Sequence, residues 1–132
     1  MKRFRDQRGA SAVEFAIIVP VLFMIVFGII GFGIAFMQVQ TIRGAVREGA
    51  RISAVGATAS QVQQKVEDAS TGIVPAAEVD VTSCPGQNTT VDTTATFDTQ
   101  QLNGGEGIVV TIPLLPDIHM NPVVTAQFRC EV

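Results

Sequence analysis

Between Phe15 and Met37 the chain runs for 23 residues without a formally charged side chain, and Glu14 stands at the head of that run. As a helix rising ~1.5 Å per residue the run is about 34 Å long, enough for a hydrocarbon core of about 30 Å. A cleavable secretory signal has an apolar core of roughly 7 to 15 residues, so the segment reads as an anchor. The small residues Gly33-Ile34-Ala35 leave a signal-peptidase cut after Ala35 as the competing reading. Basic side chains flank the run, Lys2, Arg3, Arg5 and Arg8 before it and Arg43, Arg47 and Arg51 after it. The positive-inside rule favours a cytoplasmic N-terminus, with membrane lipid as the first partner.

Charge divides the chain at the same place. Residues 1–37 carry a net charge of +2 and residues 38–132 a net of −5. No Lys/Arg stripe with interleaved aromatics exists outside the first eight residues, which argues against nucleic-acid binding. Both cysteines, Cys84 and Cys130, fall in the acidic part. An even pair in a small extracytoplasmic domain is most simply one disulfide. It would close a loop contributing about 3 to 4 kcal/mol by the loop-entropy estimate. Two unpaired, buried thiols are the alternative. The spacing and the lack of partner ligands exclude a C-x-x-C redox pair or a zinc cluster.

The helical pattern continues past the apolar run. Val39, Ile42, Val46, Ala50 and Ser53 share one side of a 3.6-residue wheel, and Arg43, Arg47 and Arg51 form a row beside it. Glu48 can pair with Arg51 at i+3. The spacing predicts one helix from about Ser11 to about Val55. Gly44, Ala45, Gly49 and Ala50 make its upper half suited to close packing, which would offset the roughly 1 kcal/mol that Gly costs in a helix interior. Gly56 and Thr58 break the pattern. Ser60-Gln61-Val62-Gln63 then resembles a capping box, Val62, Val66 and Ala69 give a second, short helix its apolar stripe, and Gly72 can end it in the left-handed conformation.

Beyond Pro75 the pattern changes to period 2, in Val79 to Ser83, Thr89 to Phe97, Ile108 to Ile112 and Val123 to Glu131. Pro85-Gly86, Asn103-Gly104-Gly105 and the stretch from Pro113 through Pro122 read as turns. Parallel strands would need helical crossovers, so the economical arrangement is a three- to four-stranded antiparallel sheet packed on the helix. The fold class is α+β: residues 1–9 a basic leader, 10–37 the transmembrane part of the N-terminal helix, and 38–132 an extracytoplasmic domain.

Glu14 needs a reason. A carboxylate at bilayer mid-depth costs about 2.5 to 3.5 kcal/mol, and less near the interface. It therefore has either a hydrated position among the headgroups or a partner. A protease cut between Gly9 and Ala10 would remove the leader and create an ammonium at Ala10, four residues before Glu14 and on the same helix face. At 4 Å such a pair is worth about 4 kcal/mol at an effective dielectric of 20, before desolvation. The acid could serve its own terminus or that of an adjacent subunit, so an expensive charge would become a register mark.

A basic leader ending in Gly, a cut before a small residue, Glu as fifth residue of the mature chain and an unbroken apolar helix together resemble the prepilin signal of type IV pilin-like proteins. Within that group "RGASAVEFAIIVPVLF", followed by "RGAVREGARISA", resembles the TadE-like pseudopilins of the tight-adherence (Tad, Flp) pilus system. The likeness covers about residues 7 to 55 well and the later "GIVVTIPLLP" run loosely. It implies that Gly9 and Ala10 form the cleavage junction of a prepilin peptidase acting at the cytoplasmic side of the bacterial inner membrane. It implies that Glu14 pairs with a subunit N-terminus. It further implies a role in assembling pili used in adhesion and biofilm formation, without catalysis or cofactor. The partners implied are TadF-like and Flp-like subunits and the inner-membrane assembly platform. The major Flp pilin has little beyond its hydrophobic helix, whereas about 95 residues follow the span here, which argues against the bulk filament subunit. A signal-anchored envelope binding domain unrelated to pili is the alternative function.

Other features carry less. Pro20 lacks an amide hydrogen and should bend the helix near Ala16, either as a melting point for leaving the bilayer or as an ordinary membrane-helix proline. His119 is the single histidine and reads as a surface-loop residue. Asn88-Thr89-Thr90 fits a glycosylation sequon, and Asp80, Asp92 and Asp98 are too widely spaced for a calcium loop. The arginine row reads as a solvated helix face, or as a holder of anionic headgroups or a neighbour's acids.

Overall fold

The computed structural model of the protein describes residues 7–82, 84 and 92–130. Lys2, Arg3, Arg5, the Pro85-Gly86 turn, the Asn88-Thr89-Thr90 sequon, the start of the Thr89 to Phe97 strand and Glu131 lie outside them. Helix α1 is continuous over Gln7–Ala54, 48 residues, or about 72 Å at ~1.5 Å per residue. It runs through Pro20 without interruption. The predicted apolar face of its upper half is the floor of the core: Val39, Ile42, Val46, Ala50 and Ser53 are all buried. Arg51 Nε lies 3.2 Å from Glu48 Oε2, the expected pair at i+3. Both side chains are exposed enough that the pair is worth about 0–1 kcal/mol.

Helix α2, Ala59–Ala69, lies against α1. Its capping box starts two residues earlier than the sequence suggested. Thr58 is the N-cap; its hydroxyl accepts from the Gln61 backbone N–H, and the Gln61 side chain accepts from the Thr58 N–H at 2.9 Å. Thr58 adopts the extended backbone a cap needs, so the T-x-x-Q box wins over the one at Ser60, which is already inside the helix. The stripe is also shifted. Val62 and Val66 are buried as expected, but Ala69 is exposed and Ser70 is buried in its place. The Ser70 hydroxyl donates to Glu67 O at 2.9 Å and accepts from Val74 N–H at 3.0 Å, so the chain reversal after the helix is built on a buried but satisfied side chain. Gly72 has the left-handed φ of 79° and its N–H reaches Glu67 O at 3.0 Å, closing the helix as expected.

The packing of the two helices turns on Gly49. A Cβ built there would overlap Val66 Cγ2 and stand 3.3 Å from Val62 Cγ1. Gly44, also expected to sit in a close contact, has nothing within 4 Å of such a Cβ and faces outward.

Among the described residues five strands follow: β1 Asp80–Thr82, β2 Asp92–Asp98, β3 Ile108–Val110, β4 Ile118–Met120 and β5 Val123–Arg129. Three of the four expected runs form an antiparallel sheet in the order β1-β2-β5, with Ala95 opposite Ala126 and Phe97 opposite Val124. Ala95, Phe97 and Val124 are buried, and Ala126 and Phe128 are half-buried, the alternation of a sheet covered by α1 on one face. The fourth run does not join it. Strand β3 pairs with β4 as a separate two-stranded sheet, Val109 opposite His119. Strand β4 lies inside the Pro113 to Pro122 stretch that had read as turn. The α+β class stands, with its strands divided between two sheets.

Cys84 and Cys130 are joined by a disulfide with their Cα atoms 5.9 Å apart, so the two-thiol alternative falls. Cys84 Sγ rests 3.4 Å from the Ser53 carbonyl oxygen. A bonded sulfur has no proton to donate, so this is a packing contact that sets the bridge against the C-terminal end of α1.

Candidate functional site

The feature to explain is the half of α1 that the rest of the chain leaves bare. Sixteen large apolar side chains between Val13 and Met37 are exposed, among them Phe15 at 69%, Ile17 at 67% and Ile29 at 69%. The largest apolar patch on a typical soluble monomer is about 300–600 Å², and a bare rod of this length goes far past it. Phe23 and Phe27 stack on each other with ring centroids 5.9 Å apart, on the outside of the helix. Helix α1 is long and apolar enough to cross a membrane.

The polar marks lie at its N-terminal end. Gly9 and Ala10 are in the first turn of α1, where backbone N–H groups have no intrahelical acceptor and unwinding costs least. Both are exposed, and a Cβ at Gly9 would meet nothing within 4 Å. Glu14 is exposed one turn above Ala10 on the same face. Among the described residues no side chain pairs with Glu14. The geometry gives an accessible peptide bond, a carboxylate one turn away and an apolar rod beyond.

Above the rod, Arg43 and Arg47 are exposed, while Arg51 is held by Glu48. A groove between Arg51, Ala54, Val55, Phe128 and Arg129 lies where α1 meets the edge of the sheet. His119 is exposed but belongs to β4 rather than to a loop, its Nδ1 3.1 Å from Glu106 O. Asp98 accepts from Gln100 N–H at 2.9 Å and is committed to its own turn. Among the described residues no three of His, Cys, Asp and Glu come together as metal ligands would.

One contact escaped the sequence reading. The turn that leaves β3 descends along α1 into the uncharged run: Val110 Cγ1 lies 3.0 Å from where a Gly31 side chain would begin, and Ile112 Cδ1 3.8 Å from the same point at Gly28. Met24, one turn lower still, is half-buried against the core. The 38–132 domain therefore leans on the stretch expected to lie in the membrane. Gly28 and Gly31, three apart on one helix face, were the available signal, together with the apolar "GIVVTIPLLP" run.

Residues 9–51 match the family model described as TadE-like protein, which covers the junction, Glu14, the apolar rod and all three arginines of the row. The match falls on the stretch whose motifs resemble that group. No curated protein and no solved structure shows significant similarity to the chain.

Proposed function

We propose that the protein is an assembly subunit of a tight-adherence pilus: a TadE-like pseudopilin held in the bacterial inner membrane by α1, N-terminus in the cytoplasm and the 38–132 domain outside. The observation that carries this reading is the order of features along one bare helix. Gly9-Ala10 stands accessible in the first turn, Glu14 follows one turn later with no side-chain partner among the described residues, and an unbroken apolar surface comes next. A prepilin peptidase cutting between Gly9 and Ala10 leaves an ammonium facing that acid. In a bundle of such helices the acid of one subunit meets the terminus of another and fixes their axial register, a Coulomb attraction of about 4 kcal/mol for a 4 Å pair at a dielectric of 20, before desolvation is subtracted. The apolar rods pack together or remain in lipid, and the α+β domains present the surfaces that TadF-like and Flp-like subunits and the assembly platform contact. The work is structural, with no catalytic step.

Glu14→Gln tests it. The substitution keeps size and hydrogen bonding and removes the charge, so pili and surface adhesion should be lost while the protein still reaches the membrane. Normal piliation and adhesion in cells carrying only Glu14→Gln would point instead to a signal-anchored envelope binding domain in which the acid is incidental.

A further inference from the structure

The first residue of α1 that packs against the domain core is Met24. From Glu14 to Phe23 the bare helix measures only about 14 Å at ~1.5 Å per residue. A hydrocarbon core of about 30 Å that begins near Glu14 has to extend well past Met24. By the same rise Gly28 stands about 21 Å and Gly31 about 25 Å from Glu14, both inside that thickness, and a helix tilt of ~20° only brings them deeper. Yet Ile112 touches α1 at Gly28 and Val110 touches it at Gly31. Part of the C-terminal domain therefore shares the depth of the membrane.

That part has the composition the position demands. The connection from β3 to β4 reads Thr111-Ile112-Pro113-Leu114-Leu115-Pro116-Asp117, with no charge before Asp117. Ile112 is buried against α1, while Leu114 is 82% and Leu115 46% exposed. The direction is downward, since successive contacts move from Gly31 to Gly28. The tip is held in a definite shape by Leu115 N–H donating to Ile112 O at 3.1 Å, and Pro113 and Pro116 have no N–H to leave unsatisfied. Leu114 has a φ of 71°, a left-handed conformation that a branched side chain enters at a cost and that Gly or Asn fills more easily in a turn facing water. An aqueous turn would gain nothing by placing an exposed leucine there. The neighbouring helix surface is continuous with it, Ile25, Ile29 and Phe32 being exposed at the same height.

We propose that this turn is inserted in the outer leaflet of the membrane, with Leu114 and Leu115 against lipid acyl chains and β4 carrying the chain back up toward the headgroups. The inference rests on the reading of α1 as a membrane span. The protein is then held by a helix and a wedge, and the wedge fixes both the height of the domain above the bilayer and its rotation about α1.

The test uses the full chain, reconstituted in vesicles of phosphatidylethanolamine and phosphatidylglycerol, with an environment-sensitive fluorophore on Leu114→Cys. The native cysteines are bonded to each other and leave the new thiol as the labelling site. Ile18→Cys on the bare helix and Gln64→Cys on the exposed side of α2 serve as references. Lipids brominated along the acyl chains should quench the label at Leu114 to the same extent as at Ile18, and aqueous iodide should quench only the label at Gln64. A Leu114 label that behaves like Gln64 while Ile18 remains in lipid overturns the wedge and leaves the span standing. If iodide reaches Ile18 as well, the span falls together with the wedge. Protection of the Leu114 label from both quenchers would mean that protein, such as a second copy, covers the turn, and would also overturn the proposal.

Discussion

Gly49 and Gly44 occupy the same helix five residues apart, and the structure assigns opposite signs to the same substitution at the two positions. Replacing Gly by Ala in a helix interior is worth up to about 1 kcal/mol of stabilisation when nothing else changes. At Gly44 nothing lies within 4 Å of the new methyl, so Gly44→Ala should stabilise by about 0.5–1 kcal/mol. At Gly49 the methyl overlaps Val66 Cγ2 and crowds Val62 Cγ1 at 3.3 Å, with Val62 O at 3.7 Å. Both valines are fully buried, so neither can swing away without displacing α2. Overpacking of this kind costs about 1–3 kcal/mol, which outweighs the propensity gain and leaves Gly49→Ala destabilising by roughly 0–2 kcal/mol. The two variants should therefore differ by about 1–3 kcal/mol in total. The chain has no Trp or Tyr, so urea unfolding of the full protein in detergent is followed by circular dichroism. Midpoints that rise equally for both variants would refute the assignment of Gly49 as the point of closest approach between α1 and α2.

Three further outcomes follow from particular contacts. Replacing both Cys84 and Cys130 by Ser should lower stability by about 4 kcal/mol if the loop-entropy term dominates, measured as a shift in the urea midpoint; no shift would mean that the bridge constrains nothing in the unfolded chain. Thr58→Ala should cost about 1 kcal/mol through the lost cap, while Ser60→Ala should cost less than half of that, and the reverse order would restore the cap to Ser60. Phe97→Ala empties the largest fully buried side chain and should cost about 3–5 kcal/mol, read by thermal unfolding; a loss near zero would mean that Phe97 is not part of the core.

Much of the helical half was legible because period and burial there depend on neighbours in sequence. Val39, Ile42, Val46, Ala50 and Ser53 are buried as their spacing required, and the Glu48–Arg51 pair forms at the expected i+3. The misses come where local signals compete or where distant residues decide. Thr58 and Ser60 are both good caps, and only the backbone turn at Thr58 selects between them. Ala69 looked like the third member of an apolar stripe, but the helix ends there and Ser70 turns inward to hold the reversal with its hydroxyl. Strand β4 is only Ile118-His119-Met120 between two proline-bearing segments, and it becomes a strand because β3 pairs with it. The site followed the same division. Gly9, Ala10, Glu14 and the apolar rod are close neighbours in sequence, so their order along one helix was open to a sequence reading, whereas the descent of residues 110–112 onto Gly31 and Gly28 joins segments some eighty residues apart. A three-residue spacing of glycines is compatible with many neighbours and names none of them.

Under the proposed function Arg8-Gly9-Ala10 and Glu14 form one signal, half of which is made by proteolysis. The N-terminal sequence of the protein purified from membranes of cells that contain the prepilin peptidase tests this most directly. The expected result is a chain that starts at Ala10, with Glu14 as its fifth residue. A chain still starting at Met1, or one starting at Phe36 after a signal-peptidase cut behind Ala35, would contradict it.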